Sequence, residues 1–263
     1  DLIILCVGES RSMSGEAHTR SSLDLPGVQE DLAKELLKTG KPIVVVLMNG
    51  RPLSINWLNE NADSILETWF AGTMTGDAVA QVLFGDYNPS GKLPVTFPRT
   101  VGQVPFYYNH KNSGRPGDDK DRYTSKYIDL PLTPLYPFGY GLSYTNFEYS
   151  DVTLSTNILT DKDSIVVSVK IKNTGDYDGE EVVQLYIQDL VGSVTRPVKE
   201  LKGFKKVNLN PGEEKVVEFT IDQKALSFFD SKTKEWIAES GEFEILIGSS
   251  SQDIKLKEMF TLK

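Results

Sequence analysis

Cysteine, histidine and positive charge are all scarce in this chain, and each scarcity removes a class of chemistry. Cys6 is the only cysteine, so no disulfide forms within the chain and no zinc site built on paired cysteines is available. Lying in an apolar run, Cys6 reads as a small buried hydrophobe. The two histidines, His18 and His110, are too few and too far apart to suggest a metal centre, and neither a metal nor a cofactor is expected. Lys and Arg total 28 against 37 Asp and Glu, a net charge of −9. Nucleic acid is disfavoured, because phosphate binding releases counterions only to a basic surface, and an anionic membrane would repel the chain for the same reason. No apolar run reaches the ~18 residues of a membrane-spanning helix. Neutral ligands, sugars among them, remain open.

What is present divides into two halves with different periods, as 263 residues would suggest. The first half alternates apolar runs with helical patterns. Leu2 to Val7 reads as a buried strand starting at the very first residues, which predicts further sequence upstream. Pro26 sits where a helix opens, at a first-turn position whose missing N–H costs nothing. Val28, Leu32, Leu36 and Leu37 then recur at helical spacing, with Gln29, Glu30, Asp31 and Lys34 facing water and Gly40 as C-cap. Ile43 to Met48 predicts a strand covered on both faces. A helix over 53–61, a strand over 64–70, a helix over 77–84 stopped by Gly85 and a fourth strand over 92–97 complete the half. This βα alternation predicts a mainly parallel sheet flanked by helices, part of an α/β/α sandwich.

From Val101 to Thr145 the pattern dissolves into Gly, Pro, Tyr and charge, with the 113–119 loop the plainest irregular stretch. Such a length is either an extended crossover packed down by its tyrosines or a binding segment. From Phe147 the period becomes two. Ile165, Val167, Val169 and Ile171 share one face, as do Val183, Leu185 and Ile187, then Val217, Phe219 and Ile221, then Phe243, Ile245 and Ile247. Turn signals separate the runs at Asn173-Thr174-Gly175, Asn210-Pro211-Gly212 and Ser240-Gly241. The pattern predicts an antiparallel all-β sandwich. The chain therefore divides into residues 1–146 and residues 147–263. The basic stretch with Arg196, Lys199, Lys202, Lys205 and Lys206 reads as a solvated face.

Ligands of an open parallel sheet bind outside the carboxyl ends of its strands. The loop there, from Gly8 to Arg20, is long for a strand-to-helix connection and holds Glu9, Glu16, Arg11, Arg20 and His18. A carboxylic acid that donates a proton needs a raised pKa, which a loop glutamate gains only if another body closes over it. Glu16 is the candidate for that role. Glu9, directly after the strand, is the alternative, although it reads better as an anchor accepting backbone N–H bonds. His18 either touches substrate hydroxyls or caps the loop. Other chemistries fail on spacing. Gly85 to Leu93 has five residues rather than four between its glycines and Leu93 where a phosphate-binding loop needs Ser or Thr. No Gly-x-Ser-x-Gly elbow exists.

The order of motifs resembles glycoside hydrolase family 3 along essentially the whole chain. Val7 through Gly15-Glu16 to Leu25-Pro26 is similar to that family's acid/base loop, and Lys41-Pro42 to Met48-Asn49-Gly50-Arg51-Pro52 to the strand and turn that follow it. Val82-Leu83-Phe84-Gly85-Asp86-Tyr87-Asn88-Pro89-Ser90-Gly91-Lys92-Leu93-Pro94 and Tyr136-Pro137-Phe138-Gly139-Tyr140-Gly141-Leu142-Ser143-Tyr144 match further segments. Within the family the likeness is to bacterial periplasmic β-glucosidases, which implies a periplasmic or secreted protein. The resemblance implies a retaining exo-β-glycosidase acting on an oligosaccharide or glycoside, with Glu16 as general acid/base and His18 and Met13 as substrate contacts. It implies that an N-terminal (β/α)8 barrel carrying the nucleophile is missing here, that a fibronectin type III-like domain closes the chain, and that the fragment alone is inactive. The rival reading is a noncatalytic carbohydrate-binding or structural module, with Tyr186 and Trp236 as its exposed aromatic platforms.

Overall fold

The computed structural model describes residues 1–118 and 120–263; Asp119, at the end of the 113–119 loop, lies outside the described residues. The chain forms two compact units that interleave in sequence. The first comprises Asp1–Tyr87, Val95–Phe106 and Thr133–Tyr136, and the second Asn88–Pro94, Tyr107–Leu132 and Pro137–Lys263.

In the first unit β1 (Ile3–Gly8), α1 (Gln29–Leu37), β2 (Ile43–Met48), α2 (Asn56–Asn61), β3 (Ser64–Glu67) and α3 (Thr75–Leu83) follow in order. The strands form a parallel sheet β1-β2-β3, with Cys6 opposite Val46 and Val46 opposite Leu66. Ile43 and Val45 to Leu47 are buried, as expected of a central strand. Three expectations change. There are three strands, not four: Pro94 lacks the N–H a ladder needs, and the 92–97 run splits, Leu93 bonding to Gly139 and Tyr140 and Phe97 bridging to Tyr136. Helix α1 opens at Gln29 rather than at Pro26, because Gly27, at φ +66, interposes a left-handed residue. Its buried face is centred on Ala33, leaving Val28 and Leu32 exposed. Cys6 is exposed rather than buried: β1 is an edge strand that buries Leu5 and Val7 and leaves the alternate face, with Ile4 and Cys6, open.

The second unit holds β4 (Phe147–Leu154), β5 (Ile158–Leu159), β6 (Ser164–Asn173), β7 (Gly179–Asp189), β8 (Glu200–Leu209), β9 (Glu214–Asp222), α4 (Gln223–Leu226), β10 (Phe228–Asp230), β11 (Glu235–Ile237), β12 (Gly241–Gly248) and β13 (Ile254–Leu262). One sheet runs β5-β13-β12-β7-β8, the other β4-β6-β9, and β10-β11 is a separate hairpin. Every residue assigned to an inward face by the period of two is buried in one apolar core. Two expectations for side chains fail. Tyr186 is fully buried, since β7 is covered on its second face: Tyr108 packs edge-on against its ring at 5.8 Å and Gln184 donates to the Gly139 carbonyl at 3.0 Å. Arg196 is not solvated, because Asp189 and Glu200 accept from its guanidinium at 3.2 and 2.9 Å. Residues 107–132 and 137–145 of the long irregular stretch belong to this unit, where Tyr108 stacks on Phe138 at 4.3 Å while meeting Tyr186 edge-on. The segment after Gly85 is structural too. Asn88 bonds Asp178, Ser143 and Tyr144, and Lys92 bonds Gly141 and Glu181.

Candidate active site at the carboxyl edge of the parallel sheet

The three parallel strands end side by side, and each delivers a polar residue to the same edge. Glu9 follows β1, Asn49 follows β2, and Glu67 ends β3. Glu9 is fixed first by backbone, its N–H donating to the Met48 carbonyl at 2.8 Å. Its buried carboxylate then lies 2.9 Å from Arg20 Nη1 and 2.9 Å from Arg51 Nε, and accepts the Gly50 N–H at 3.2 Å. The sequence suggested an anchor held by backbone N–H groups. Two guanidinium groups were not foreseen, yet the signal existed: in a parallel sheet the residues following adjacent strands are neighbours, and Arg51 follows β2 as Glu9 follows β1.

Beyond Glu9 the chain makes a 3-10 turn over Arg11–Met13 and then a tight reversal. His18 N–H donates to the Gly15 carbonyl at 3.3 Å, and Ala17 adopts φ 61 at the apex. His18 Nδ1 lies 2.6 Å from the Glu16 carbonyl oxygen. A carbonyl only accepts, so Nδ1 carries the proton and Nε2 is left facing outward. Arg51 braces this reversal from both limbs, donating to the Met13 and His18 carbonyls. Gln29, expected to face water, instead clamps the start of the loop, accepting from Gly8 N–H at 2.7 Å and donating to Gly8 O at 2.8 Å.

Glu16 itself is exposed, and its carboxylate is engaged by no hydrogen bond or ion pair among the described residues. The edge thus holds two glutamates in opposite conditions, one enclosed by cations and one offered to solvent on a braced loop. Met13 and Glu9 line a groove of about 430 Å³ with Gly8, Ser10, Gln29 and Met48, whereas Glu16 and His18 lie outside it. No group of three or more His, Cys, Asp or Glu among the described residues could hold a metal ion.

Gly50 is where the loops converge. A Cβ there would overlap Ser14 Oγ from the first loop and lie 2.8 Å from Phe70 Cε2 of the third. Gly50→Ala is therefore expected to cost about 1–3 kcal/mol, the usual range for forced overpacking, and to displace the Glu16 loop. Urea unfolding, with limited proteolysis near Ser14, checks both effects; unchanged stability and cleavage would show that the convergence is loose.

Residues 1–144 match the model of the glycosyl hydrolase family 3 C-terminal domain, and residues 181–251 that of a fibronectin type III-like domain. A periplasmic β-glucosidase of Salmonella typhimurium is 52% identical over 97% of this chain, and a β-xylosidase of Formosa agariphila is 47% identical over 98%. The crystal structure of a β-glucosidase from Listeria innocua in complex with glucose superposes with a TM-score of 0.95 at 44% identity, covering 100% of the chain. The alignments span 34%, 35% and 36% of those three proteins respectively, so the chain corresponds to about a third of each. The fold is accordingly an α/β unit with a parallel sheet followed by a fibronectin type III-like sandwich.

Proposed function

Because this chain belongs to glycosyl hydrolase family 3, we propose that it is the C-terminal part of a retaining exo-β-glycosidase of β-glucosidase type, removing terminal non-reducing β-D-glycosyl residues. In this reading residues 1–146 end the α/β domain with its crossover, and residues 147–263 are the fibronectin type III-like domain. An N-terminal (β/α)8 barrel of the same protein supplies the nucleophile and holds the terminal sugar. The protein is periplasmic or secreted, in keeping with its Salmonella relative.

The observation that carries the reading is the contrast at the carboxyl edge. Glu16 is exposed and unengaged on a loop whose backbone Arg51 braces, while the neighbouring Glu9 is consumed by two arginines. A group that must meet a substrate held by another body needs that disposition. The nucleophile attacks the anomeric carbon as Glu16 gives its proton to the departing glycosidic oxygen. Glu16, now a carboxylate, takes a proton from the water that attacks the same carbon and frees the sugar with its configuration retained. Retention needs the two carboxyl groups ~5–5.5 Å apart, so one of them alone performs neither half. His18, through Nε2, and Met13, through the groove, contact the substrate.

An exposed aromatic pair favours a second reading, a noncatalytic carbohydrate-binding module. Trp236 is 72% exposed and lies edge-on to the exposed Phe229 at 6.0 Å. One comparison separates the two. The full-length protein is expected to hydrolyse an aryl β-D-glucoside and to release the β-anomer first by NMR, whereas the 263-residue chain releases nothing. Full-length protein without turnover, joined to tight oligosaccharide binding by the short chain, would establish the module instead.

A further inference from the structure

The reversal that carries Glu16 is held from outside by one side chain, and the sheet decides which. Gly8 pairs with Met48 across β1 and β2, so the turn after β2 runs beside the start of the loop after β1. The backbone of that turn is fixed where Arg51 leaves it. Asn49, fully buried, donates through Nδ2 to the Arg51 carbonyl at 2.7 Å, and Pro52 confines the residue before it to extended backbone. From this root the guanidinium does two jobs with two different nitrogens. Nε lies 2.9 Å from the Glu9 carboxylate, whose second cationic partner is Arg20. Nη2 donates to the carbonyls of Met13 and His18, the latter at 2.9 Å. Those carbonyls lie on either side of Glu16 in the chain. Between them Ser14 lies flush against Gly50, where a Cβ would stand 2.1 Å from its Oγ. The backbone flanking Glu16 is thus fastened to the turn after β2, while the Glu16 carboxylate is engaged by nothing among the described residues.

We propose that Arg51 is a positioning residue, whose forked contact on both limbs of the reversal sets where the Glu16 carboxyl meets the glycosidic oxygen. A charged donor makes hydrogen bonds roughly twice as strong as a neutral one, and here a single nitrogen bridges both limbs. This role differs from the charge role in geometry. An ammonium in place of the guanidinium is a single point. It neutralises Glu9 or bridges the two carbonyls, but it does not stand at the Nε and Nη2 positions together. Arg51→Lys therefore separates charge from position: the brace requires the planar fork, not a cation. The feet of the loop are closed independently by Gln29, whose amide accepts the Gly8 N–H and donates to the Gly8 and Pro26 carbonyls, both at 2.8 Å. What Arg51→Lys releases is the reversal alone. The effect on rate rests on the glycosidase reading; the brace does not.

Two substrates separate position from folding. In the full-length protein Arg51→Lys should lower kcat/KM on a β-linked glucose disaccharide by about 10²-fold, the cost of a ~1 Å misplacement of a reacting group. On a dinitrophenyl β-D-glucoside, whose leaving group departs without a proton, kcat/KM should stay within a few-fold of wild type. Added to Glu16→Gln, the same change should cost the disaccharide nothing further, because no acid is left to place. Backbone amide exchange over residues 14–18 should quicken by about ten-fold, while the end of the loop clasped by Gln29 keeps its protection. Loss by one factor on both substrates would make Arg51 a residue of folding only and overturns the proposal. So does an unchanged rate on the disaccharide, or full additivity with Glu16→Gln. If Arg51→Lys does not fold, Arg51→Gln, which keeps N–H donors without charge and leaves Arg20 on Glu9, is judged by the same substrate ratio and the same exchange. If the wild type hydrolyses neither glycoside, the glycosidase reading fails and the exchange at 14–18 decides the brace, an unchanged rate there rejecting it, so the two failures are distinguishable.

Discussion

Glu16→Gln in the full-length protein is expected to lower kcat on glycosides with poor leaving groups by about 10²–10⁴-fold, the usual contribution of a positioned acid or base. The asymmetry between substrates is the sharper part of the expectation. A poor leaving group departs only as it is protonated, so loss of the donor stalls the first half-reaction. An activated aryl glycoside leaves without help, and the first half-reaction proceeds; the second then stalls, because no base activates water. The glycosyl-enzyme should accumulate and appear as a burst of aryl alcohol followed by slow turnover. Azide needs no base to attack the anomeric carbon, so it should restore turnover of the activated substrate and yield the β-glycosyl azide. The thermal midpoint should not move, because the Glu16 carboxylate makes no bond among the described residues that the substitution removes. Near-normal turnover of both substrate types would reject the assignment of Glu16.

The loop between β1 and α1 stands out in the sequence because its oddity is local: too many residues, and too many charges, between a strand and a helix. The sandwich core was legible for a related reason. Alternation of apolar and polar residues reports directly which side chains point inward when one face of a sheet is buried. Period alone does not report what covers the other face, and there the readings failed. Tyr186 sits at a position whose alternation says outward, yet Tyr108 and the Gly139 segment close over it. Cys6 sits in an unbroken apolar run that says buried twice over, yet its face of β1 is open. The residues that brace the loop were missed because their significance is relational. Gln29 looks like any polar helix residue until Gly8 is placed 21 positions away against its amide.

The second large effect falls on the other glutamate, and it should be an effect on stability. The Glu9 side chain is fully buried, while those of Arg20 and Arg51 are each 20% exposed. Removing the carboxylate leaves two guanidinium groups with no counter-charge in a site that water barely enters. Breaking one side of a buried ion pair costs about 3–5 kcal/mol. The partial exposure of both arginines points to the lower end, about 3 kcal/mol for Glu9→Gln, read from the urea midpoint at constant m. Glu9→Ala should cost more, since it also removes the acceptor of the Gly50 N–H. Combining Glu9→Gln with Arg51→Met should cost less than the sum of the single changes, because the first has already removed the partner that makes the second expensive. The two glutamates are then separated by what each loses: Glu16→Gln loses rate and keeps stability, Glu9→Gln loses stability. A Glu9→Gln variant that stays stable but abolishes turnover of poor leaving groups would exchange the roles and make Glu9 the acid/base, with Glu16 an ordinary solvated loop residue.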